Sequence, residues 1–572
     1  MIVNAPYTTG KPEQYVIFKA PFYEEFNEEL FDTRHEHTRR IRMQLLNSSS
    51  RSWGEAWQSF KHPRVISVLF LGFSAGLPIL LIFSSLSIWL REAGVERSMV
   101  TFFSWAALGY SFKFVWAPLV DRVPLPWLTK SLGRRRAWLL LAQFAVMAAL
   151  LFMASNDPVY GLTWVAIGAV MLGFSSATQD IVIDAYRIEA AESDLQAMMS
   201  SAYIAGYRVG MLVAGAGSLA LASWFSGGDE TVYNYEAWAS VYRCMAAFML
   251  IGVATTLLIA EPENNQSAFS QQYGTRDYVR FLGLFVVAAG AFVAGFTLTP
   301  EVSAQLKTVI INAGVSAHVA GFFSETFRLL FSVALGGGAA WLMIRLNVAP
   351  RGMVRETYVA PFTDFFQRYG KLAIYILLLV GTYRIADIVM GAVANVFYKD
   401  MGYSKEQIAA VTKTFGLLMT IAGGFLGGLL ALRFGVMKIL WVGGLLAAVS
   451  NLLFSLLAQM EPETWMLAVV IAADNLSAGI ASAAFIAFLS GLTNRAFTAM
   501  QYAVFSSLMT LVPKLMAGYS GTVVDAVNYP IFFAGSAILG LPVLLLISYV
   551  QRLMEKPEEN GVKTVPEEAT PD

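Results

Sequence analysis

The chain reads as long apolar runs separated by short polar or charged breaks. From Val65 to Leu90 there are 26 residues without a charge, and a bilayer-spanning helix needs about 20 predominantly apolar residues. Runs of this kind predict helices over 65–90, 98–119, 137–155, 160–186, 197–224 and 240–260. Two more follow over 279–298 and 323–345, then six over 372–397, 406–432, 438–459, 464–490, 496–519 and 529–550. The stretch 301–320 is too interrupted for a span and reads as a surface helix. A membrane β-barrel would show short apolar–polar alternation, which these unbroken runs lack. The pattern predicts an all-α polytopic membrane protein of 14 spans. It comprises a tail over 1–63, a six-helix bundle over 64–260, a polar linker with two inserted helices over 261–370, a second bundle over 371–550 and a disordered acidic tail over 551–572.

Composition agrees with this reading: 56% of residues are hydrophobic and 14% charged, where soluble domains carry roughly 25% charged residues. A soluble enzyme is excluded, and Cys244, the only cysteine, excludes a disulfide scaffold. Forty basic residues balance forty acidic ones, so nothing global points to nucleic acid. The first 60 residues lack an apolar core with a cleavage site, so no signal peptide is expected. Placing the N-terminus in the cytoplasm puts 28 basic residues in inside segments and five in outside loops. That asymmetry fits the positive-inside rule and predicts that both termini are cytoplasmic.

Charges inside the predicted spans are costly, about 2.5–3.5 kcal/mol each at the bilayer centre, and therefore belong in a bundle interior or wet cavity. Lys113, Asp180, Asp184 and Arg208 lie in the second, fourth and fifth helices of the first bundle. Arg384, Asp387, Lys413, Asp474 and Lys514 lie in the first, second, fourth and fifth helices of the second bundle. The third and sixth helices of each bundle have no charge in their interiors. Each three-helix unit thus presents two helices to a polar cavity and one to lipid or scaffold, the arrangement of a duplicated transporter. Glu325 and Arg328, one turn apart, read as a structural pair. His35, His37, His62 and His318 are too dispersed for a metal site. A GxxxxGK[ST] phosphate loop and a GxGD protease context are both absent, so neither an ATP-driven pump nor an intramembrane aspartyl enzyme is favoured.

The segments FLGFSAGLP, YSFKFVWAPLVDR, GRRRAW, SSATQDIVIDAYRIE and GYRVGMLV in the first half resemble the AmpG-type muropeptide permeases of the major facilitator superfamily. VTKTFGLL, DNLSAGIASAAFIAFLSGLTN and FTAMQYAVFSSL continue the resemblance in the second half, so that it covers roughly 62–260 and 365–550. It implies a facilitator fold of two six-helix bundles and import of N-acetylglucosaminyl-1,6-anhydro-N-acetylmuramyl peptides from periplasm to cytoplasm. Import would be driven by proton symport, in peptidoglycan recycling and β-lactamase induction. The expected partners are the muropeptide, protons and the lipid of the bacterial inner membrane, with the chain acting as a monomer and no cofactor beyond the proton gradient. The related acetyl-CoA transporters leave a different anionic solute as the alternative. The long polar tail and the inserted pair depart from the family pattern.

A muropeptide carries sugar hydroxyls, amides, carboxylates and an ammonium group. Arg208 is the candidate carboxylate clamp, because a guanidinium stays charged and binds bidentately, with Arg384, Lys413 and Lys113 assisting. Gln179, Asn475, Tyr110 and Tyr207 are candidate neutral hydrogen-bonding groups, each of which reads more readily, taken singly, as ordinary helix packing or interfacial placement. Proton coupling requires an acid whose charge state biases the inward–outward equilibrium. Asp180 is the first candidate, with Asp474 as the alternative carrier, while Asp387, a turn from Arg384, reads also as a permanently paired group. Asp121, Arg122, Gly133, Arg134, Arg135 and Arg136 form the candidate cytoplasmic gate, with Asp184 expected to brace it through one of the three arginines.

Overall fold

The computed structural model describes residues 58–96, 108–190, 195–227, 233–262, 273–315, 317–404, 407–517 and 520–555, with Gly54 and Phe103 besides. The rest of the predicted N-terminal tail and residues 556–572 lie outside the described residues. Among those described, twelve helices are long and apolar enough to cross a membrane. The first bundle is α1 (Pro63–Glu92), α2, α3 (Arg134–Ala154), α4 (Pro158–Ala190), α5 (Gln196–Phe225) and α6 (Tyr235–Leu258). The predicted second span is described only from Leu108, and α2 denotes its Leu108–Phe112 and Ala117–Arg122 segments joined by a 3-10 turn at Lys113–Val115. The insertion contains α7 (Thr275–Leu298), α8 (Pro300–Asn312), α9 (Ala317–Arg345) and α10 (Ala360–Tyr369). The second bundle is α11 (Leu372–Asp400), α12 (Ala410–Phe434), α13 (Val436–Leu457), α14 (Thr464–Leu492), α15 (Thr498–Ala517) and α16 (Val523–Glu555).

Helices dominate because a backbone in hydrocarbon must satisfy its N–H and C=O groups within its own segment. Where they break, the break has a place in the architecture. α1 is interrupted at Phe83, and α11 at Tyr383–Arg384, so the first helix of each bundle is discontinuous. α5 contains a π-helical turn at Val213–Gly217, and the start of α12 is π-helical over Ile408–Phe415. Close backbone approach depends on glycine at specific points. A Cβ on Gly76 of α1 would collide with the carbonyl oxygen of Tyr207 on α5, and one on Gly423 of α12 with that of Leu476 on α14. Small residues at such crossings let helices associate without a hydrophobic driving force in lipid.

The two bundles meet through α5, which packs on α12 and α14, and through α2 and α4, which pack on α15. α3, α6, α13 and α16, the helices with charge-free interiors, pack within their own bundles. The contacts joining the bundles gather at the end that carries the Gly133–Arg136 turn, called here the arginine-turn end. Large apolar side chains such as Phe144, Trp164 and Leu545 point outward and are exposed, as lipid contact requires.

The polar region 346–370 is largely helical: Arg351–Val354, a π-turn over Arg355–Val359 and α10 bury Met353, Thr357, Pro361, Phe365 and Arg368 along one face. Their three- and four-residue spacing is an amphipathic pattern that the high charge density hid. Tyr358 donates to the carbonyl of Val115 at 2.9 Å, tying this element to α2. Arg328 donates to the carbonyl of Phe296, linking α9 to α7, while the side chain of its expected partner Glu325 lies outside the described residues.

Candidate functional site: a charged pathway between the bundles

The arginine-turn end is closed by a buried ionic lock. Gly133 has φ +88° and starts α3 so that Arg135 points inward. Arg135 is 1% exposed and donates to Asp121 (2.7 Å), to both carboxylate oxygens of Glu189 (2.9 and 2.5 Å), to the Thr498 hydroxyl (2.8 Å) and to the Val120 carbonyl (3.4 Å). Thr498 also donates to Glu189. Asp121 accepts the backbone N–H groups of Ala499 (3.2 Å) and Met500 (3.0 Å), the first turn of α15. A carboxylate there satisfies otherwise orphaned donors and complements the helix dipole. One guanidinium and two carboxylates of the first bundle thus clamp the start of a helix in the second. Arg134 donates to the Asp121 carbonyl (2.6 Å), and Arg122 lies over the Phe497 ring.

Behind the lock, α3 and α6 cap each other. Glu261 accepts the N–H groups of Arg135 (2.7 Å) and Arg136 (3.0 Å), and Arg136 donates to the carbonyls of Thr256 (3.0 Å) and Leu257 (2.6 Å). Glu261→Ala should therefore cost about 1–2 kcal/mol through loss of the cap. The measurement is thermal unfolding of the purified protein, and an unshifted transition would contradict the cap.

Above the lock, Asp184 sits between Lys113 Nζ (3.5 Å) and Arg187 Nη2 (3.6 Å), all three buried. Arg187 donates to Ser200 on α5 (3.0 Å) and to Ser490 on α14 (2.8 Å), and lies against the rings of Tyr203 and Tyr502. One helical turn further from the arginine-turn end, Asp180 is buried, and its Oδ1 has no hydrogen-bond partner among the described residues. Its nearest charges are Lys113 and Asp184.

Near mid-span the two bundles face each other with cations. Arg208 on α5 is half-buried and has no hydrogen bond or ion pair among the described residues. It lies within electrostatic reach of Arg384 and Asp387 on α11. Arg384 donates to Asp387 at 2.8 Å, and both remain partly exposed to a cavity also lined by Tyr383, Gly444, Ala481 and Gly540. The pair stands where α11 unwinds, Asp387 in the first turn of the second half-helix, Ile385–Asp400, where the dipole favours an anion. Asp474 accepts from Ser450 (3.1 Å) and senses Asp387 and Arg384. Tyr207, next to Arg208, lies within reach of Asp180 as well. Asp474, Asp387, Arg384, Arg208, Tyr207 and Asp180 therefore lie in a series, each within electrostatic reach of the next.

Two solved structures share this architecture. The fucose transporter FucP in the outward conformation aligns with a TM-score of 0.53 at 12% identity, covering 87% of this chain and 100% of that one. The proton:xylose symporter XylE gives 0.53 at 12%, covering 87% and 96%. Residues 373–571 match the family described as Major Facilitator Superfamily, and residues 65–226 match Acetyl-coenzyme A transporter 1. Among curated relatives, the anhydromuropeptide permease of Escherichia coli strain K12 is 28% identical over 497 residues, 87% of this chain and 81% of that protein. An AmpG-named transporter of Rickettsia conorii is 29% identical over 491 residues, 86% and 97% of the two chains. An uncharacterized protein of Haemophilus influenzae is 30% identical over 510 residues, 88% and 97%. The chain belongs to the major facilitator superfamily. It is a transporter related to the AmpG permeases, and its relatives are permeases and not enzymes.

Within this facilitator, several predicted site residues take partners other than those expected. Asp184 does not reach Arg134, Arg135 or Arg136; it lies one layer deeper, between Lys113 and Arg187. Arg136 points to the end of α6 and so bridges no bundles. Gln179 is fully buried and donates to Ser74 on α1 (3.3 Å). Asn475 accepts from Thr420 (2.8 Å) and donates to the Ile471 carbonyl, joining α14 to α12. Tyr110 donates to Ser176 (2.7 Å), joining α2 to α4. These three are helix-packing contacts. The side chain of Lys413 lies outside the described residues. Sequence reasoning passed over Glu189, Arg187, Ser490, Thr498 and Glu261. Glu189 had a legible signal, a second acid at the end of a span opposite a tri-arginine turn. Thr498 had none, because the α15 terminus binds mainly through its backbone.

Proposed function

We propose that this facilitator imports anhydromuropeptides from periplasm to cytoplasm across the bacterial inner membrane by proton symport. The arginine-turn end is cytoplasmic on this reading, so the locked arrangement is the outward-facing state. The observation that carries the proposal is Arg208. It is a guanidinium with no hydrogen bond or ion pair among the described residues, opposite Arg384 at the meeting of the bundles, and a solute carboxylate is the ligand that completes such a pair. When that carboxylate draws Arg384 from Asp387, the freed Asp387 turns its charge on Asp474, and a proton on one of the acids relieves the repulsion. Asp180, whose Oδ1 has no hydrogen-bond partner among the described residues, supplies a second proton-accepting position closer to the lock. The 28% identity to the anhydromuropeptide permease supports the choice of solute.

The test is uptake of radiolabelled anhydromuropeptide into membrane vesicles under an imposed pH gradient, competed with free peptide, free disaccharide and acetyl-CoA. Accumulation blocked by unlabelled muropeptide supports the reading, and failure to accumulate refutes it. The match of residues 65–226 to the acetyl-CoA transporter family favours a second reading in which the same cations take an anionic cofactor, and competition by acetyl-CoA alone would select it. Asp180→Asn is expected to keep normal expression but lose stimulation of uptake by the pH gradient. Full stimulation in that variant would remove Asp180 as a proton site.

A further inference from the structure

Arg187 is fully buried, yet its Nε and Nη2 have no hydrogen-bond partner among the described residues. A buried guanidinium normally fills its donors, since each unmade hydrogen bond costs about 1–3 kcal/mol. The neighbouring lock provides the comparison: Arg135, equally buried, spends Nε, Nη1 and Nη2 on five acceptor atoms of four residues. A guanidinium kept only to join the bundles would be built the same way. Arg187 instead reaches Ser200 and Ser490 through Nη1 alone. Its one anionic neighbour, Asp184, stands at 3.6 Å and is shared with Lys113 at 3.5 Å, both longer than the roughly 2.7–2.9 Å of a charge-assisted hydrogen bond. Two cations thus share one loosely held carboxylate.

We propose that Arg187 and Lys113 form a second anion-binding station, on the arginine-turn side of the Arg208–Arg384 chamber, that receives a carboxylate of the solute as the bundles part at that end. Of the groups around the guanidinium, Ser490 and Tyr502 belong to the second bundle and Ser200, Tyr203 and Asp184 to the first. Parting withdraws the first two and opens Nε and Nη2 toward the widening cleft. A carboxylate arriving from the chamber then meets a planar fork with open donors and an ammonium beside it, and the solute passes from one pair of cations to another before release. The site resides wholly on α2 and α4 of the first bundle, so it persists while the second bundle moves away.

That the solute bears a carboxylate rests on the function proposed above, and the experiment separates the two. Full-length protein in lipid nanodiscs, carrying Ser490→Ala to weaken the closed end, is treated with phenylglyoxal. The arginine adducts are then quantified by mass spectrometry with and without anhydromuropeptide. The muropeptide is expected to slow modification of Arg187 at least tenfold, along with that of Arg208 and Arg384, and a fully amidated muropeptide is expected to leave Arg187 unprotected. Protection of Arg208 and Arg384 without Arg187 overturns the station and leaves the transport reading standing; protection at none of the three overturns both. Independently, Arg187→Lys, which keeps the charge but not the fork, should raise the half-saturation concentration for muropeptide at least tenfold when solute is presented from the arginine-turn side. The value from the opposite side should stay within twofold. Equal changes from both sides would mark Arg187 as structural, and this measurement decides if Arg187 stays unreactive in Ser490→Ala.

Discussion

Replacing Arg135 by glutamine should destabilise the protein by about 3–5 kcal/mol and abolish transport, because it strands two buried carboxylates. Asp121 and Glu189 both depend on this guanidinium, and all three are buried. Asp121 keeps the N–H groups of Ala499 and Met500, so its loss is partial. Among the described residues Glu189 keeps only the Thr498 hydroxyl, and it bears most of the cost. The three side chains also clamp the start of α15 in the second bundle, so the variant should shift the population toward opening at the arginine-turn end as well as unfold more readily. A cysteine introduced at Ser490 should become more reactive to a membrane-impermeant thiol reagent from that side. Arg135→Lys keeps the charge but cannot serve five acceptors from one nitrogen, and should fall between. The double variant Arg135→Gln/Glu189→Gln should recover much of the lost stability, since neither partner is then an unpaired charge. Wild-type melting and wild-type thiol accessibility in Arg135→Gln would show that the lock holds nothing.

How much of this was legible follows from how physics writes itself into a sequence. Spans were legible because hydrocarbon thickness sets a minimum apolar length, and α3, α4 and α13 begin and end within a few residues of their predicted limits. The charged positions were legible because each must be compensated inside a membrane, and the helices with charge-free interiors indeed pack away from the meeting of the bundles. Pairing was not legible. Asp184 could have met any of the three arginines of the turn from its place in sequence, and helix depth and rotation in three dimensions gave it Lys113 and Arg187. Nor was the partner of Asp121, because a helix N-terminus carries no residue-type signature for the N–H groups it offers. Glutamine, asparagine and tyrosine next to charged residues suggested a cavity lining, yet Gln179, Asn475 and Tyr110 turn toward neighbouring helices, where their hydrogen bonds hold crossings together.

Arg208→Gln should reverse the pattern of the lock variant, leaving stability intact while transport falls by about two orders of magnitude. In the described structure Arg208 donates to nothing, so its removal leaves no protein acceptor unsatisfied. The strongest charge acting on it is a like one, Arg384, and taking one guanidinium away relieves that repulsion. The melting temperature should therefore be unchanged or slightly higher. Transport depends on the same residue through the solute, because a carboxylate that loses one partner of a desolvated charged hydrogen bond forfeits about 3 kcal/mol, roughly a hundredfold in affinity. Arg208→Lys should restore part of the affinity as a point charge, without the bidentate geometry. The loss should vanish for an amidated solute, which presents no carboxylate to either variant. If instead Arg208→Gln melts earlier and carries the acid normally, Arg208 has a structural partner and the chamber is not where the solute binds. The contrast is informative because both residues are arginines in spans: one is saturated and holds the bundles together, the other is left open for what passes between them.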